Sequence, residues 1–174
     1  MKKGFTMIEL IFVIVILGIL ASVAVPRLAS TREDAEISAT VANLRTLVSD
    51  ASSYYVANGT FEPKGKKANW RDITNVPLRT QGKTLVQGDT NTGTAVFLSA
   101  SGTNCIKIQL RDRNGDRPAH IAVSIEGEDY ICKEITKAEP VKAYLDSRLS
   151  GDKTNNANEG RVALGASARI YNNK

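Results

Sequence analysis

The chain is poor in the residues that catalysis draws on. Its 174 residues include one histidine, His120, and two cysteines, Cys105 and Cys132. A hydrolase needs a nucleophile, a base within reach and a group that orients the base. A lone histidine opening a predicted strand after Pro118 is far more often a hydrogen-bonded surface or core group than a catalyst. No G-x-S-x-G elbow and no phosphate-binding glycine loop occurs. Neither an enzymatic activity nor a cofactor is therefore expected. No internal repeat recurs. Excess charge is also scarce: the net charge is +5 over the full sequence, and +3 once Lys2 and Lys3 are set aside. A balance that small does not by itself point to nucleic acid.

What the chain does have is a long apolar run near its start. From Leu10 to Val25 every residue is apolar apart from Gly18 and Ser22. A helix from Phe5 to Val25 would cover roughly 31 Å, about the thickness of a bilayer's hydrocarbon core. Lys2 and Lys3 ahead of it keep the extreme N-terminus cytoplasmic by the positive-inside tendency, so the rest of the chain points outward. A conventional signal peptide has the same outline, and Ser22-Val23-Ala24 offers it a small-residue cleavage site. Glu9 is the feature that reading leaves unexplained. A carboxylate at the head of an apolar run is costly to bury and needs a partner. Cutting between Gly4 and Phe5 would create an α-amino group one helical turn before Glu9, on the same chain or presented by a neighbour. The attraction of that cation is comparable to the cost of burying the carboxylate.

The stretch Lys2-Lys3-Gly4-Phe5-Thr6-Met7-Ile8-Glu9-Leu10, with Gly18 and Pro26 after it, resembles the N-terminal signature of type IV pilins and type II secretion pseudopilins. The resemblance covers roughly the first 30 residues. It implies that a prepilin peptidase cleaves after Gly4 and methylates Phe5. It also implies that Glu9 pairs with a neighbouring subunit's N-terminus and helps to set register in a filament. Glycine weakens a helix interior and proline removes one of its hydrogen bonds, so the helix between Gly18 and Pro26 is open to melting or bending. The resemblance implies loosening there when the subunit leaves lipid for the filament; a plain membrane-helix kink is the simpler alternative.

Beyond Arg27 the apolar positions Ile37, Val41, Leu44, Val48, Ala51 and Tyr55 recur at steps of four and three, one face of a helix that Asn58-Gly59 would end. From Phe5 to Ala57 such a helix would run roughly 80 Å. Residues 59–93 read as a long connection, with a short strand at Thr84 to Val86. It holds a basic and aromatic group, Lys64, Lys66, Lys67, Trp70 and Arg71. One reading is a patch for nucleic acid or an acidic surface; the plainer one is a solvated loop with the tryptophan tucked into the core.

After Gly93 the period changes to two. Val96 to Ala100, Ile106 to Leu110 and Ile121 to Ile125 read as strands, with Tyr130 to Ile135 a fourth, joined as an antiparallel meander through turns at Asn114-Gly115 and Gly127. Pro140 would start a short helix running to Leu149. Ser150 to Gly160 reads as a polar loop, and Arg161 to Leu164 and Ala168 to Tyr171 as short strands or a trailing end. Cys105 and Cys132 fall where an N-terminal anchor would place them outside the cytoplasm, and a bond between them is expected, against the alternative of two buried free thiols. It would tie the outer strands at one end of the sheet or fasten a displaced edge. Asp112, Asn114 and Asp116 alternate around Gly115 in a spacing that can wrap Ca²⁺, although Ile121 stands where a full EF-hand loop would want a glutamate; an Asx-rich hairpin turn is the simpler reading.

The expected fold is α+β and pilin-like: a long N-terminal helix whose back half packs on an antiparallel sheet of about four strands. Its divisions are a leader at 1–4, an apolar membrane and filament-core helix at 5–26, an amphipathic half-helix at 27–58 and a globular part at 59–174. The resemblance implies a subunit of a type IV pilus or a type II secretion-like pseudopilus. Its partners would be further subunits, prepilin peptidase, an inner-membrane assembly platform and, before assembly, the lipid bilayer. Major pilins of this kind commonly close their disulfide near the C-terminus, and major pseudopilins usually lack one. The Cys105 and Cys132 positions therefore leave a minor pilin or a divergent major subunit open. The alternative from another class is a secreted or periplasmic binding protein, engaging DNA through the Lys64 to Arg71 patch.

Overall fold

A computed structural model of the chain describes residues 4–82, 84–86, 90–115, 117–147, 149 and 159–164. The expected strand at Ala168 to Tyr171 and most of the loop at Ser150 to Gly160 lie outside them. The chain divides into two compact units between Ala35 and Glu36.

The first unit is helical from Met7, the start of α1 (Met7–Asn58). The helix continues through Gly18 and through Pro26, which supplies no N–H to its own turn. Its described apolar side chains, Leu10 and Phe12 through Val25 among them, are exposed. This is the one helix among the described residues long and apolar enough to cross a membrane by length and composition.

The second unit begins on the same helix, where one stripe turns inward. Leu44, Leu47, Val48 and Ala51 are buried, while Ile37, Val41, Tyr54 and Tyr55 pack against the core from its margin. That is the stripe the four-and-three spacing predicts, with Leu47 added to it. The helix stops at Asn58 because Gly59 turns left-handed (φ +71°) while its N–H still reaches the Tyr55 carbonyl at 2.7 Å.

The sheet is antiparallel with strand order β1-β2-β3-β4: β1 (Val96–Ala100), β2 (Thr103–Arg111), β3 (His120–Ile125) and β4 (Glu159–Ala163). Ser101 and Gly102, both at positive φ, close the β1–β2 hairpin in the twist that two-residue turns favour. The Ser101 amide and hydroxyl both donate to Glu36, at 2.7 and 2.8 Å, fastening the hairpin to α1. Ile106, Ile108, Leu110, Ile121 and Val123 bury one face of the sheet with the α1 stripe in a single core. The edge of β1 is part-covered: Arg79 exchanges both backbone hydrogen bonds with Phe97, at 2.9 and 2.8 Å. The strand expected at Thr84 to Val86 is reduced to one bridge, Arg79 with Leu85.

Two elements depart from expectation. Tyr130 to Ile135 is not a strand but the start of helix α3 (Tyr130–Lys137). Its buried residues are Ile131, Cys132 and Ile135, a spacing of one and four that fits a helix and not the alternation of a strand. A further helix, α4 (Glu139–Leu145), follows with Pro140 in its first turn and ends short of Leu149. The fourth strand comes instead from β4, which pairs with β3 from His120↔Ala163 to Ser124↔Glu159. Gly160 makes this return possible, since a Cβ there would run into the Tyr144 carbonyl oxygen. The Cys105–Cys132 disulfide is formed. With Cys132 on α3, it joins strand β2 to a helix and not one strand to another. Gly127 passes so close over it that a Cβ would lie 2.5 Å from the Cys132 sulfur.

Candidate functional site

The chemistry of the N-terminus is set by a few residues in sequence. Gly4, Phe5 and Thr6 precede the first helical turn and are exposed, Phe5 at 87%. A Cβ on Gly4 would meet nothing within 4 Å. Among the described residues the Gly4–Phe5 peptide bond therefore lies outside the helix and is exposed.

Thr6 starts the helix. Its carbonyl accepts from the Leu10 N–H at 3.3 Å, the first intrahelical bond, and its hydroxyl oxygen faces the Glu9 N–H at 3.4 Å. Glu9 answers: one carboxylate oxygen accepts from the Thr6 N–H at 2.8 Å and from its hydroxyl at 2.7 Å. This is a reciprocal capping box, which needs a threonine and a glutamate three residues apart. The sequence reading leaves Glu9 in want of a partner; in the uncut chain that partner is Thr6. The T-x-x-E spacing was the signal that could have found it. The cap uses the Thr6 N–H and hydroxyl and nothing ahead of Phe5, so it does not depend on residues 1–4.

The other candidates are distributed through the second unit. Trp70, at the start of α2 (Trp70–Ile73), is fully buried and donates its ring N–H to the Thr94 carbonyl at 3.1 Å. A buried ring offers no face for a base to stack on, which takes Trp70 out of the basic patch. Lys64, Lys66, Lys67 and Arg71 remain exposed. Lys67 lies 3.9 Å from Glu62, and Arg71 donates to the Val86 carbonyl at 3.2 Å.

Of the calcium candidates, Asp112 has a structural task. Its carboxylate accepts from the Phe61 N–H at 2.9 and 3.1 Å and from the Thr60 hydroxyl at 3.1 Å, pinning the chain just after α1 to the end of β2. Asn114 lies in the turn that follows, bridged to Arg117, and Asp116 is outside the described residues. Among the described residues no three His, Cys, Asp or Glu side chains gather to hold a metal.

His120 is buried, and its Nδ1 sits 3.0 Å from the Pro118 carbonyl. Burial pushes its pKa below the usual imidazole range; the bond to Pro118 works the other way, and Arg161, Arg117 and Arg111 add to the lowering. As the neutral imidazole it donates from Nδ1 to that carbonyl.

Residues 1–25 match the family model for the prokaryotic N-terminal methylation motif. The chain is 32% identical over 109 residues to the type IV major pilin protein PilE1 of Neisseria gonorrhoeae, an alignment covering 62% of this chain and 64% of that protein. It is 38% identical over 60 residues to the type II secretion system core protein G of Dickeya chrysanthemi, covering 34% of this chain and 39% of that protein. The chain thus spans less than two thirds of the length of the curated relatives it matches first. No solved structure matches it.

Proposed function

We propose that the chain is a structural, non-enzymatic subunit of a type IV pilus or a type II secretion-like pseudopilus. On this reading it is held in the inner membrane by α1, with its N-terminus cytoplasmic, until it polymerises with further subunits. Prepilin peptidase would cut the Gly4–Phe5 bond and methylate the Phe5 amine, and an inner-membrane platform would receive the product.

The observation that carries this reading is the coincidence of three features at one end of the chain. An exposed, non-helical Gly4–Phe5 bond lies just ahead of a capped helix start with Glu9 on it, and among the described residues that helix shows no buried apolar side chain before Ala35. Such a surface is stable in lipid or against other helices and not in water. The likeness to both a pilin and a pseudopilin supports the class without dividing it.

Mass spectrometry of the mature N-terminus tests the proposal. The expected result is a chain beginning at N-methylated Phe5. A chain beginning near Val25, recovered as a water-soluble monomer, would overturn it in favour of a secreted binding protein.

A further inference from the structure

The second unit carries opposite charge at its two ends. Within it α1 runs from Glu36 to Asn58, roughly 33 Å at a helix's rise, and two ties fix the ends of the sheet to that run. At one end Glu36 holds the Ser101 turn. At the other the Asp112 carboxylate holds Thr60 and Phe61, just past the helix. Strand β2 joins the two, with Cys105 near the first tie and Asp112 just beyond Arg111 at the second, roughly 23 Å apart at a strand's rise.

The end beside Phe61 is basic. Residues 62–67 set Lys64, Lys66 and Lys67 against Glu62, and all four are exposed. The neighbouring turn, 112–117, holds two arginines and two aspartates, so it adds nothing to the formal balance. Lys67 lies 3.9 Å from Glu62, whereas Lys64 and Lys66 have no ion pair among the described residues. The loop is a fixed turn: Lys64 and Gly65 are left-handed (φ +59° and +71°), the Gly65 N–H donates to the Glu62 carbonyl at 3.1 Å, and the Lys66 N–H donates to that of Pro63 at 3.3 Å.

The end beside Ser101 is acidic. Glu126, Glu128 and Asp129 follow β3 with no base among residues 126–129, and all three are exposed. Lys107 answers Glu126 at 3.7 Å, and Glu128 has no ion pair among the described residues. With Glu36 these make four acids, which still outnumber the bases when Lys83 and Lys133 are counted beside Lys107. This loop is fixed as well. The Glu126 N–H donates to the Cys105 carbonyl at 2.9 Å, Asp129 accepts from the Thr103 hydroxyl at 2.7 Å, and the Cys105–Cys132 bond anchors α3 behind them.

An exposed charge reaches only about 8 Å at physiological salt, so the two ends of one copy do not neutralise each other. Two copies set end to end can. We propose that the basic loop 62–67 of one copy docks on the acidic loop 126–129 of the next, a second interface between copies beside the one made through α1; it rests on the reading that copies polymerise. The two patches differ, so the contact is head-to-tail and repeats without closing, as a filament requires. Loops already fixed on both sides lose little freedom on docking.

Two variants of the full chain in non-ionic detergent micelles, Lys66→Cys and Glu128→Cys, test the interface. The native cysteines are bonded to each other and fully buried, so each variant offers one reactive thiol. Under a mild oxidant the mixture should form a cross-linked pair several-fold faster than either variant alone, because a head-to-tail contact brings position 66 to 128 and neither position to itself. Raising salt from about 0.05 M to about 0.5 M should suppress the excess. Adding Lys64→Glu to the Lys66→Cys chain should slow the mixed reaction about tenfold, and adding Glu126→Lys to the Glu128→Cys chain should restore it. Equal rates in the mixture and in each variant alone, or an excess that salt leaves unchanged, would overturn the interface. So would capture of the chain by phosphatidylglycerol vesicles or a single-stranded oligonucleotide through Lys64 and Lys66 with no cross-link in the mixture. A mature chain that begins at Phe5 yet yields no cross-link overturns this interface alone and leaves the proposed function standing.

Discussion

Removing the Cys105–Cys132 bond offers a test with a magnitude that follows from its position. The two cysteines are 27 residues apart in sequence and fully buried, one on β2 and one on α3. Cross-linking a loop of that size removes about 12 cal/mol/K of entropy from the unfolded chain, or about 3.6 kcal/mol at 25 °C. For a unit the size of residues 36–174, unfolding entropy is about 290 cal/mol/K, so the loss lowers the melting temperature by roughly 12 °C. Trp70 is the only tryptophan and is buried in this unit's core, so its emission follows the transition without interference. The variant Cys105→Ala/Cys132→Ala, in detergent micelles, should melt about 12 °C below the parent. Because both sulfurs are sealed, a reductant should cut the bond in the native protein only as fast as α3 lifts from β2. A melting temperature within about 3 °C of the parent would refute the account, and rapid reduction of the native protein would refute the sealed position.

Other perturbations address the remaining sites. Glu9→Gln keeps the hydrogen-bonding shape of the cap but deletes the charge, whereas Glu9→Ala deletes both. If the carboxylate meets a neighbour's amine, both variants should lose filament assembly while far-UV circular dichroism stays native; normal filaments from Glu9→Gln would reduce Glu9 to a helix cap. Asp112→Ala should destabilise the second unit by about 2 kcal/mol, because a charge-accepted backbone N–H loses its partner. A chelator should leave both parent and variant unmoved in a denaturant melt, and a chelator-dependent parent would favour the calcium reading. The lowered pKa of His120 sets a pH dependence. Above the unfolded value of about 6.5 the imidazole is neutral in both states and stability is full. As pH falls from there towards the lowered folded value the unfolded chain takes up the proton first, so stability drops. Arg111 on β2, Arg161 and Glu159 on β4, and Arg117 and Asp112 in the preceding turn face this group. Denaturant melts between pH 7.5 and 5.5, a span chosen about the usual imidazole value, should show that slope, and His120→Gln should flatten it; an unchanged slope would assign it to other groups.

The sequence by itself determined what depends on neighbours within one or two helical turns. The buried stripe from Ile37 to Tyr55 and the stop at Gly59 arise from contacts three or four residues apart, which spacing displays directly, and the T-x-x-E spacing of Thr6 and Glu9 is a signal of the same kind. Strands β2 and β3 were legible because apolar and polar residues alternate along them, and β1 because its run is apolar enough for a strand. Only the tertiary structure decided which segment became the fourth strand. Tyr130 to Ile135 has apolar residues enough for either element, and burial of Ile131, Cys132 and Ile135 together selects a helix. The edge of β3 then falls to Glu159–Ala163, a segment with little pattern of its own. Arg161 stands about forty residues beyond His120 and comes beside it only because β4 registers with β3, and register is settled by which faces the whole core can bury.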